Sequence, residues 1–353
     1  MTKIAVLGAG IMATALTWPF TDNGGEVALV GTHLDRDIVD SIQKTRIHPN
    51  LGLKVPDAVT AYQLEDAAEA FEGAEIVMSG VNSFGVDWAG EHLAGLLRPG
   101  QKVLAITKGL QADEDGNLVI LPDVLKKYVP ADLRDAVTWS AIVGPSIAGE
   151  LAVRHHTSVI FAGEDQASLD VLAGLYRTPY YHVWTSTDML GSEIGAATKN
   201  MYAFGAGFAQ GILDSQGKTN DRYVMFNYSA ALFAQGAYEM VRWMRFLGAD
   251  PDTTYGLAGV GDMYVTSMGG RNVKAGRYAG AGIPFSEVRD VHMKGVTLEG
   301  VACIRVVGAA IERLTERGVL TPDDFPLVRH MYDVTCKDVP LDIPWDAFFG
   351  GAR

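Results

Sequence analysis

Two stretches of the chain place acid–base and anion-binding side chains at helical spacing. In the first, Gly191, Gly195 and Lys199 fall four residues apart and share one face of a helix. The glycines leave a bare track along which a ligand can approach the backbone, with an ammonium at its end and Asn200 beside it. Ile194, Ala196, Ala197 and Met201 surround that lysine with apolar groups. Lost hydration disfavours its charged form, the condition for a lysine to exchange protons near neutral pH. The alternative is a lysine that snorkels to the surface. The second stretch runs from Gly256 to Thr266 and on through Gly269-Gly270-Arg271-Asn272. If Asp262 opens a short helix, Thr266 lies one turn on, on the same face. Arg271, after two glycines, is a guanidinium on approachable backbone, suited to a bidentate grip on phosphate. A mobile glycine-rich loop is the other reading.

These groups need a scaffold, and the amino terminus supplies its first part. Ile4 to Leu7 form a short apolar run, the pattern of a strand buried on both faces. Gly8-x-Gly10-x-x-Ala13 follows at once, and Ala13, Ala15 and Leu16 then open a helical pattern. Gly8 permits the tight turn, Gly10 lets the backbone approach a pyrophosphate, and a small third residue lets helix and strand pack closely. Strand before and helix after is the context a dinucleotide site requires. Gly8, Gly10, Ile11 and Met12 are therefore candidate cofactor contacts. The second strand, Glu26 to Val30, ends in Gly31-Thr32-His33-Leu34-Asp35-Arg36. No acid stands at its tip, where an NAD site commonly holds the ribose hydroxyls. Thr32, His33 and Arg36 suit a 2′-phosphate instead, which tilts the cofactor towards NADP; NAD stays open because Asp35 can swing in.

Strand and helix patterns then alternate. Helices are expected at 37–44, 64–71 and 88–97, and strands at 75–79, 102–107, 137–143, 157–162 and 180–186. Such alternation implies a parallel, doubly wound sheet of Rossmann type, with ligands at the carboxyl ends of the strands. Lys108 and Ser146 both follow closely on strand ends. From about residue 189 the character changes to long Ala-, Gly-, Met- and Leu-rich stretches of helical spacing: Gly191 to Gly211, Asp221 to Leu247 and Leu298 to Arg317. The expected organisation is an α/β fold: a dinucleotide-binding domain over 1–188 and an all-helical substrate-binding domain over 189–353.

Composition limits the partners. The chain has 353 residues, 48% of them hydrophobic and 20% charged, which is globular usage with room for two cores. A net charge of −13 argues against nucleic acid, though an anionic small substrate can still meet a local basic pocket. Two cysteines make no disulfide framework. The start, Met1-Thr2-Lys3, leads straight into a strand, and the longest apolar stretch, Met201 to Leu213, is too short to span a bilayer. A cytoplasmic protein without a membrane span is expected, with a homodimer as an open option. No histidines or cysteines fall at metal spacing: His155-His156, His292 and His330 read as solvated or isolated. Phe204 and Phe208 read as core. Phe84, after a strand-end loop, is either core or a cofactor contact. Asp113-Glu114-Asp115 reads as a solvated turn.

Along nearly its whole length the chain resembles the soluble NAD(P)-dependent glycerol-3-phosphate dehydrogenases. The matching pieces are Gly8-Ala9-Gly10, His48-Pro49-Asn50, Lys108-Gly109, Gly144 to Glu150, Gly195 to Asn200, Asn227 with Ala230-Ala231-Leu232, Gly256 to Thr266, Gly269 to Asn272, and Glu299-Gly300. Their order and spacing together are specific. By that resemblance Lys199 is the proton donor and acceptor at the substrate C2 oxygen, with Lys108 nearby to position and polarise it. Asn200, Asp262, Thr266, Arg271 and Asn272 would bind glycerol phosphate, Arg271 and Asn272 holding its phosphate. Gly144 and Ser146 would line the substrate, while Ala148, Glu299 and also Arg271 face the cofactor. The implied reaction moves a hydride between nicotinamide and C2 of dihydroxyacetone phosphate, giving sn-glycerol 3-phosphate. Two other readings compete. One is the same chemistry on another polyol phosphate or a 2-keto sugar acid, with Met263, Tyr264 and Met268 reshaping the pocket. The other is a non-catalytic dinucleotide sensor. The chain departs from the family pattern at Ala13, at Leu51-Gly52-Leu53-Lys54, and in the short spacing from Asp262 to Arg271.

Overall fold

In a computed structural model, residues 1–218 and 224–351 are described. The chain divides into two compact units. One comprises Met1–Lys108 with Leu121–Ser192, the other Gly109–Ile120 with Glu193–Arg353. The linear division at 188 makes no provision for this: the chain leaves the first unit after Lys108, adds a short hairpin to the second, and returns at Leu121.

In chain order the strands are β1 (Lys3–Leu7), β2 (Glu26–Val30), β3 (Ile47–His48), β4 (Leu53–Lys54), β5 (Val59–Tyr62), β6 (Ile76–Ser79), β7 (Lys102–Ala105), β8 (Leu110–Ala112), β9 (Leu118–Ile120), β10 (Thr138–Val143), β11 (Thr157–Gly163) and β12 (Tyr181–Ser186). The first unit is built on an eight-stranded sheet of order β12-β11-β10-β7-β6-β1-β2-β5. Ile4 to Leu7 are all buried, as the continuous apolar run requires of a strand covered on both faces. In register, Leu7 lies beside Ser79, Ser79 beside Ala105, and Ala105 beside Ala141. The loops that follow these strands, with Gly8, Gly80, Lys108 and Gly144, therefore leave the same edge of the sheet.

The sheet is not wholly parallel. β11 runs antiparallel to β10, with Val143 opposite Ile160. Between them lies a helix of only five residues, Ala148–Ala152. It rises about 7.5 Å, too little to carry the chain back along a six-residue strand of about 20 Å. The helix Gln166–Tyr176 is longer, and β11 and β12 are parallel again. The core gathers Trp18, Phe20, Phe161, Tyr176 and Tyr181, with Phe20 and Tyr176 at 5.2 Å between ring centres.

Among its described residues the second unit is helical apart from the β8–β9 hairpin. Its longer helices are Met189–Ala206, whose first turn belongs to the other unit, Phe208–Ser215, Phe226–Leu247, Arg271–Gly280, Glu299–Glu316 and Pro326–Lys337. The expected helix over 191–211 breaks at Gly207, and that over 221–247 is described from Phe226 onward; positions 221–223 lie outside the described residues. Close packing of small residues is realised here. A Cβ on Gly276 would strike the carbonyl of Phe204, and one on Gly207 that of Val273. Phe204 and Phe208 are fully buried and meet edge to face at 5.1 Å, as core residues. Among the described residues no helix is long and apolar enough to cross a membrane.

One polar group is embedded in this helical core. Glu239 is fully buried and its carboxylate accepts four hydrogen bonds. Leu327 N–H (2.6 Å) and Gln235 Nε2 (2.9 Å) donate to Oε1; Val328 N–H (3.1 Å) and the Tyr202 hydroxyl (3.2 Å) donate to Oε2. The two backbone donors belong to the first turn of Pro326–Lys337, so Glu239 caps that helix from a neighbouring one.

Candidate functional site

In the first unit the glycine loop is built as a cradle. Gly8 has φ of +111°, a conformation that L side chains rarely adopt. A Cβ there would also lie 2.9 Å from the Gly80 backbone. Around Gly10 the chain leaves space, since an added Cβ would meet only the Gly80 oxygen at 3.8 Å. The protein's own packing does not demand a glycine at that position, and the backbone there is open to a closely approaching group. This is the observation that fits a dinucleotide pyrophosphate to the loop. Ala13, at the place of the third glycine, does not crowd the helix. Facing it is Gly80, whose own Cβ would lie 2.7 Å from that of Ala13. The small residue needed for close helix–strand packing stands on the opposing strand end, a role the sequence reading missed although Gly80 directly follows β6.

Beyond β2, Thr32 is buried, while His33 and Arg36 are exposed. Arg36 is paired with Glu65, and the His33 ring meets Trp88 edge-on at 5.5 Å. The Asp35 carboxylate is turned back towards the glycine loop. On the adjoining loops, Lys108 Nζ donates to the Gly144 carbonyl at 2.9 Å, and Ser146 Oγ lies 3.9 Å from the Met12 sulfur. Met12, Lys108, Gly144 and Ser146 line one small cavity of about 30 Å³, floored by Leu16, Ile142 and Tyr181. Ala148 is half-buried at the start of its short helix. Phe84 is 66% exposed on a turn capped by the Asn82 side chain, and so is not core.

In the second unit Lys199 is 7% exposed and Asp262 1% exposed, which excludes a snorkelling surface lysine. The ammonium donates to Asp262 Oδ1, and to Thr266 Oγ at 2.9 Å. Thr266 in turn donates to the Asp262 carbonyl at 2.7 Å, one turn back on the helix Asp262–Ser267. The expected shared face is real. Burial alone would disfavour a charged lysine, but an adjacent carboxylate acts the other way. The expected ligand track is not formed. At Gly195 an added Cβ would lie 2.6 Å from the Ala258 carbonyl, so the bare helix face admits the Leu257–Gly261 turn of the chain itself. That packing brings Asp262 to Lys199. Gly191 likewise lies against the Asp188 side chain, which caps its N–H at 3.0 Å.

Asn200 is buried, and its carbonyl packs on Gly300. Gly300 N–H donates to Asn272 Oδ1 at 3.1 Å, and Arg271 lies 4.0 Å from Glu299. The structure therefore brings Asn200, Arg271, Asn272 and Glu299 together at the starts of two helices, Arg271–Gly280 and Glu299–Glu316. The buried Lys199 side chain is thus held by a carboxylate and a hydroxyl, while the Arg271 guanidinium is more than half exposed.

Two family models cover most of the chain: the amino-terminal part of NAD-dependent glycerol-3-phosphate dehydrogenase matches residues 3–169, and its carboxy-terminal part residues 188–344. The NADP(+)-dependent glycerol-3-phosphate dehydrogenase of Archaeoglobus fulgidus is 33% identical over 83% of this chain and 84% of its own. The chain belongs to the NAD(P)-dependent glycerol-3-phosphate dehydrogenase family. A NAD(P)+ glycerol-3-phosphate dehydrogenase of Geobacillus kaustophilus is 32% identical over 95% of this chain and 90% of its own. The crystal structure of the glycerol-3-phosphate dehydrogenase of Coxiella burnetii superposes with a TM-score of 0.78 at 25% identity, covering 98% of this chain and 97% of that one. As a member of this family the chain is an oxidoreductase of the NAD(P)-dependent class.

The remaining candidates sort plainly. Met263 is fully buried and cannot shape a binding surface, whereas Tyr264 and Met268 are exposed. His156 is not without a partner: its Nδ1 lies 2.9 Å from His182 Nε2, with the rings stacked. His330 accepts the Asp342 N–H, and His292 stacks on Tyr278. Among the described residues no cluster of three or more His, Cys, Asp or Glu could hold a metal. Burial pushes the Cys303 thiol up to about 12, so it carries no nucleophile at neutral pH.

Proposed function

We propose that the chain catalyses reversible hydride transfer between NAD(P)H and dihydroxyacetone phosphate, with Lys199 as the general acid and base at the C2 oxygen. The observation that carries this is the buried Lys199–Asp262–Thr266 arrangement. A protonated amine fixed at two points is oriented to give its proton to an oxygen that gains charge. Arg271 and Asn272 hold the substrate phosphate, Arg271 as a charge-assisted donor. Asn200 binds the substrate hydroxyls, and Lys108, Gly144 and Ser146 line the carbonyl end. Gly8, Gly10, Ile11 and Met12 carry the pyrophosphate, with Ala148, Glu299 and Phe84 as further cofactor contacts. When bound, the nicotinamide supplies or accepts the hydride.

For the cofactor, NADP is favoured over NAD. The Asp35 carboxylate is engaged by the Ala9 and Thr32 N–H groups and the Thr32 hydroxyl, while the exposed His33 and Arg36 stand just beyond β2, Arg36 exchanging Glu65 for a 2′-phosphate. The archaeal relative's name carries the same preference. A steady-state assay of dihydroxyacetone phosphate reduction with NADH and NADPH side by side tests substrate and cofactor together. Oxidation of both, with a higher kcat/KM for NADPH, is expected. No oxidation with dihydroxyacetone phosphate, alongside turnover of a longer keto-phosphate, would overturn the substrate. A higher kcat/KM for NADH would overturn the preference.

A further inference from the structure

We propose that His48 and Asp35 are positioning residues for dinucleotide binding, which hold the two sides of Ala9 and so fix the loop Gly8-Ala9-Gly10. The proposal rests on the reading of that loop as the pyrophosphate site. Ala9 is fully buried. Its N–H donates to Asp35 Oδ2 at 3.2 Å. Its carbonyl lies 3.0 Å from His48 Nε2, and accepts from Thr14 Oγ at 3.4 Å.

His48 is itself fully buried, 39 residues further along the chain. Its Nδ1 accepts the Leu51 N–H at 3.2 Å. A ring nitrogen that accepts carries no proton, so in the neutral ring the proton sits on Nε2, the atom facing the Ala9 carbonyl. The contacts select the tautomer that can donate to the loop. The segment from His48 to Leu53 is shaped for this. β3 and β4 pair as a small hairpin, and Gly52 N–H returns to the His48 carbonyl at 2.9 Å. The residues at which this chain departs from the family pattern thus present a backbone N–H to the imidazole.

Asp35 acts from the other side. The same Oδ2 that accepts from Ala9 also accepts from Thr32 N–H at 2.9 Å and Thr32 Oγ at 2.8 Å. It joins the end of β2 to the loop after β1, where Gly8 N–H already donates to the Val30 carbonyl at 2.8 Å. A glycine loop is otherwise free to sample many backbone conformations. Ordering it only when the ligand arrives would subtract from affinity, so a loop already fixed binds more tightly.

The test measures NADH and NADPH dissociation constants by nucleotide fluorescence, together with KM for nucleotide and for dihydroxyacetone phosphate. His48→Phe and Asp35→Ala should each raise the dissociation constants of both nucleotides about tenfold, the scale of one buried hydrogen bond lost. KM for dihydroxyacetone phosphate should stay within about twofold. His48→Gln, whose amide nitrogen reaches the same carbonyl, should recover most of the loss. If His48→Phe does not fold, Asp35→Ala carries the test alone. Wild-type nucleotide affinity in a folded His48→Phe or Asp35→Ala protein overturns the proposal. So does a loss confined to NADH in Asp35→Ala, which would make Asp35 a ribose ligand. A parallel rise in both KM values, or a His48→Gln protein as weak as His48→Phe, does the same. Gly10→Glu separates the two readings. If it abolishes nucleotide binding while the clamp variants bind normally, the pyrophosphate site stands and the clamp falls; if it binds normally, both fall.

Discussion

Lys199 is held by a carboxylate and a hydroxyl within a helical unit, and this decides how its replacement should read out. Lys199→Met should lower kcat by at least about 10²-fold, the usual contribution of a positioned proton donor. It also leaves Asp262 buried without the ammonium, so the thermal midpoint should fall as well; a folded variant with substantial turnover would remove Lys199 from its role. Arg271 is more than half exposed. Arg271→Ala should therefore raise KM for dihydroxyacetone phosphate by roughly tenfold, the low end for a charge-assisted contact, with a smaller change in kcat. Initial-rate measurements check this, and an unchanged KM rejects the phosphate assignment. The four-residue spacing of Asp262 and Thr266 was legible in sequence because a helix makes it a neighbour relation. The meeting of Lys199 with Asp262 was not, since 63 residues separate them and only tertiary packing joins them. Gly195 shows the same limit: its type announced a close approach, but not that the approaching group is the chain's own Ala258.

At the scale of elements, strands announced by continuous β-branched runs formed where expected, because burial on both faces leaves a plain signal. The direction of β11 did not, because it depends on the length of a five-residue helix within a loop-like stretch. Gly80 shows a constraint shared between elements. Its missing side chain makes room for Ala13, a requirement on a pair that no single-segment motif expresses. The Glu239 cap is a further interaction hidden from local reading. Desolvation is the largest influence on this carboxyl and raises it to about 7, against the opposing hydrogen bonds from Gln235, Leu327, Val328 and Tyr202. In the unfolded chain an exposed glutamate titrates near the ordinary value of about 4.3. Between these values the native state binds the extra proton, so this group makes stability fall as pH rises from about 4.3 to 7, by about 4 kcal/mol at most. Above 7 its contribution is flat. Glu239→Gln should flatten that slope in denaturant titrations run across the interval; an unchanged slope would show that Glu239 does not titrate there.

At the scale of the molecule, the second unit takes in a piece of chain that lies between the two segments of the first. The β8–β9 hairpin packs on Glu299–Glu316 within the second unit. Arg313 donates to the Glu114 carbonyl, and Arg317 to that of Asp115 at 2.7 Å. The acidic turn is thus docked through its backbone, not simply solvated. Because these contacts are exposed, replacing Arg313 and Arg317 together by alanine should cost about 1 kcal/mol. Scanning calorimetry should show this as a midpoint lowered by a few degrees; an unchanged midpoint would mean the turn is not held by these side chains. Composition could announce the helical half, but not this excursion, since residues 109–120 look like an ordinary surface connection until their partner helix is known. The same excursion sets a rule for anyone who recombines these genes. A single crossover at the apparent boundary would hand one parent's hairpin to the other parent's helices, and a chimera of two relatives should fold well only when residues 109–120 travel with the carboxy-terminal segment.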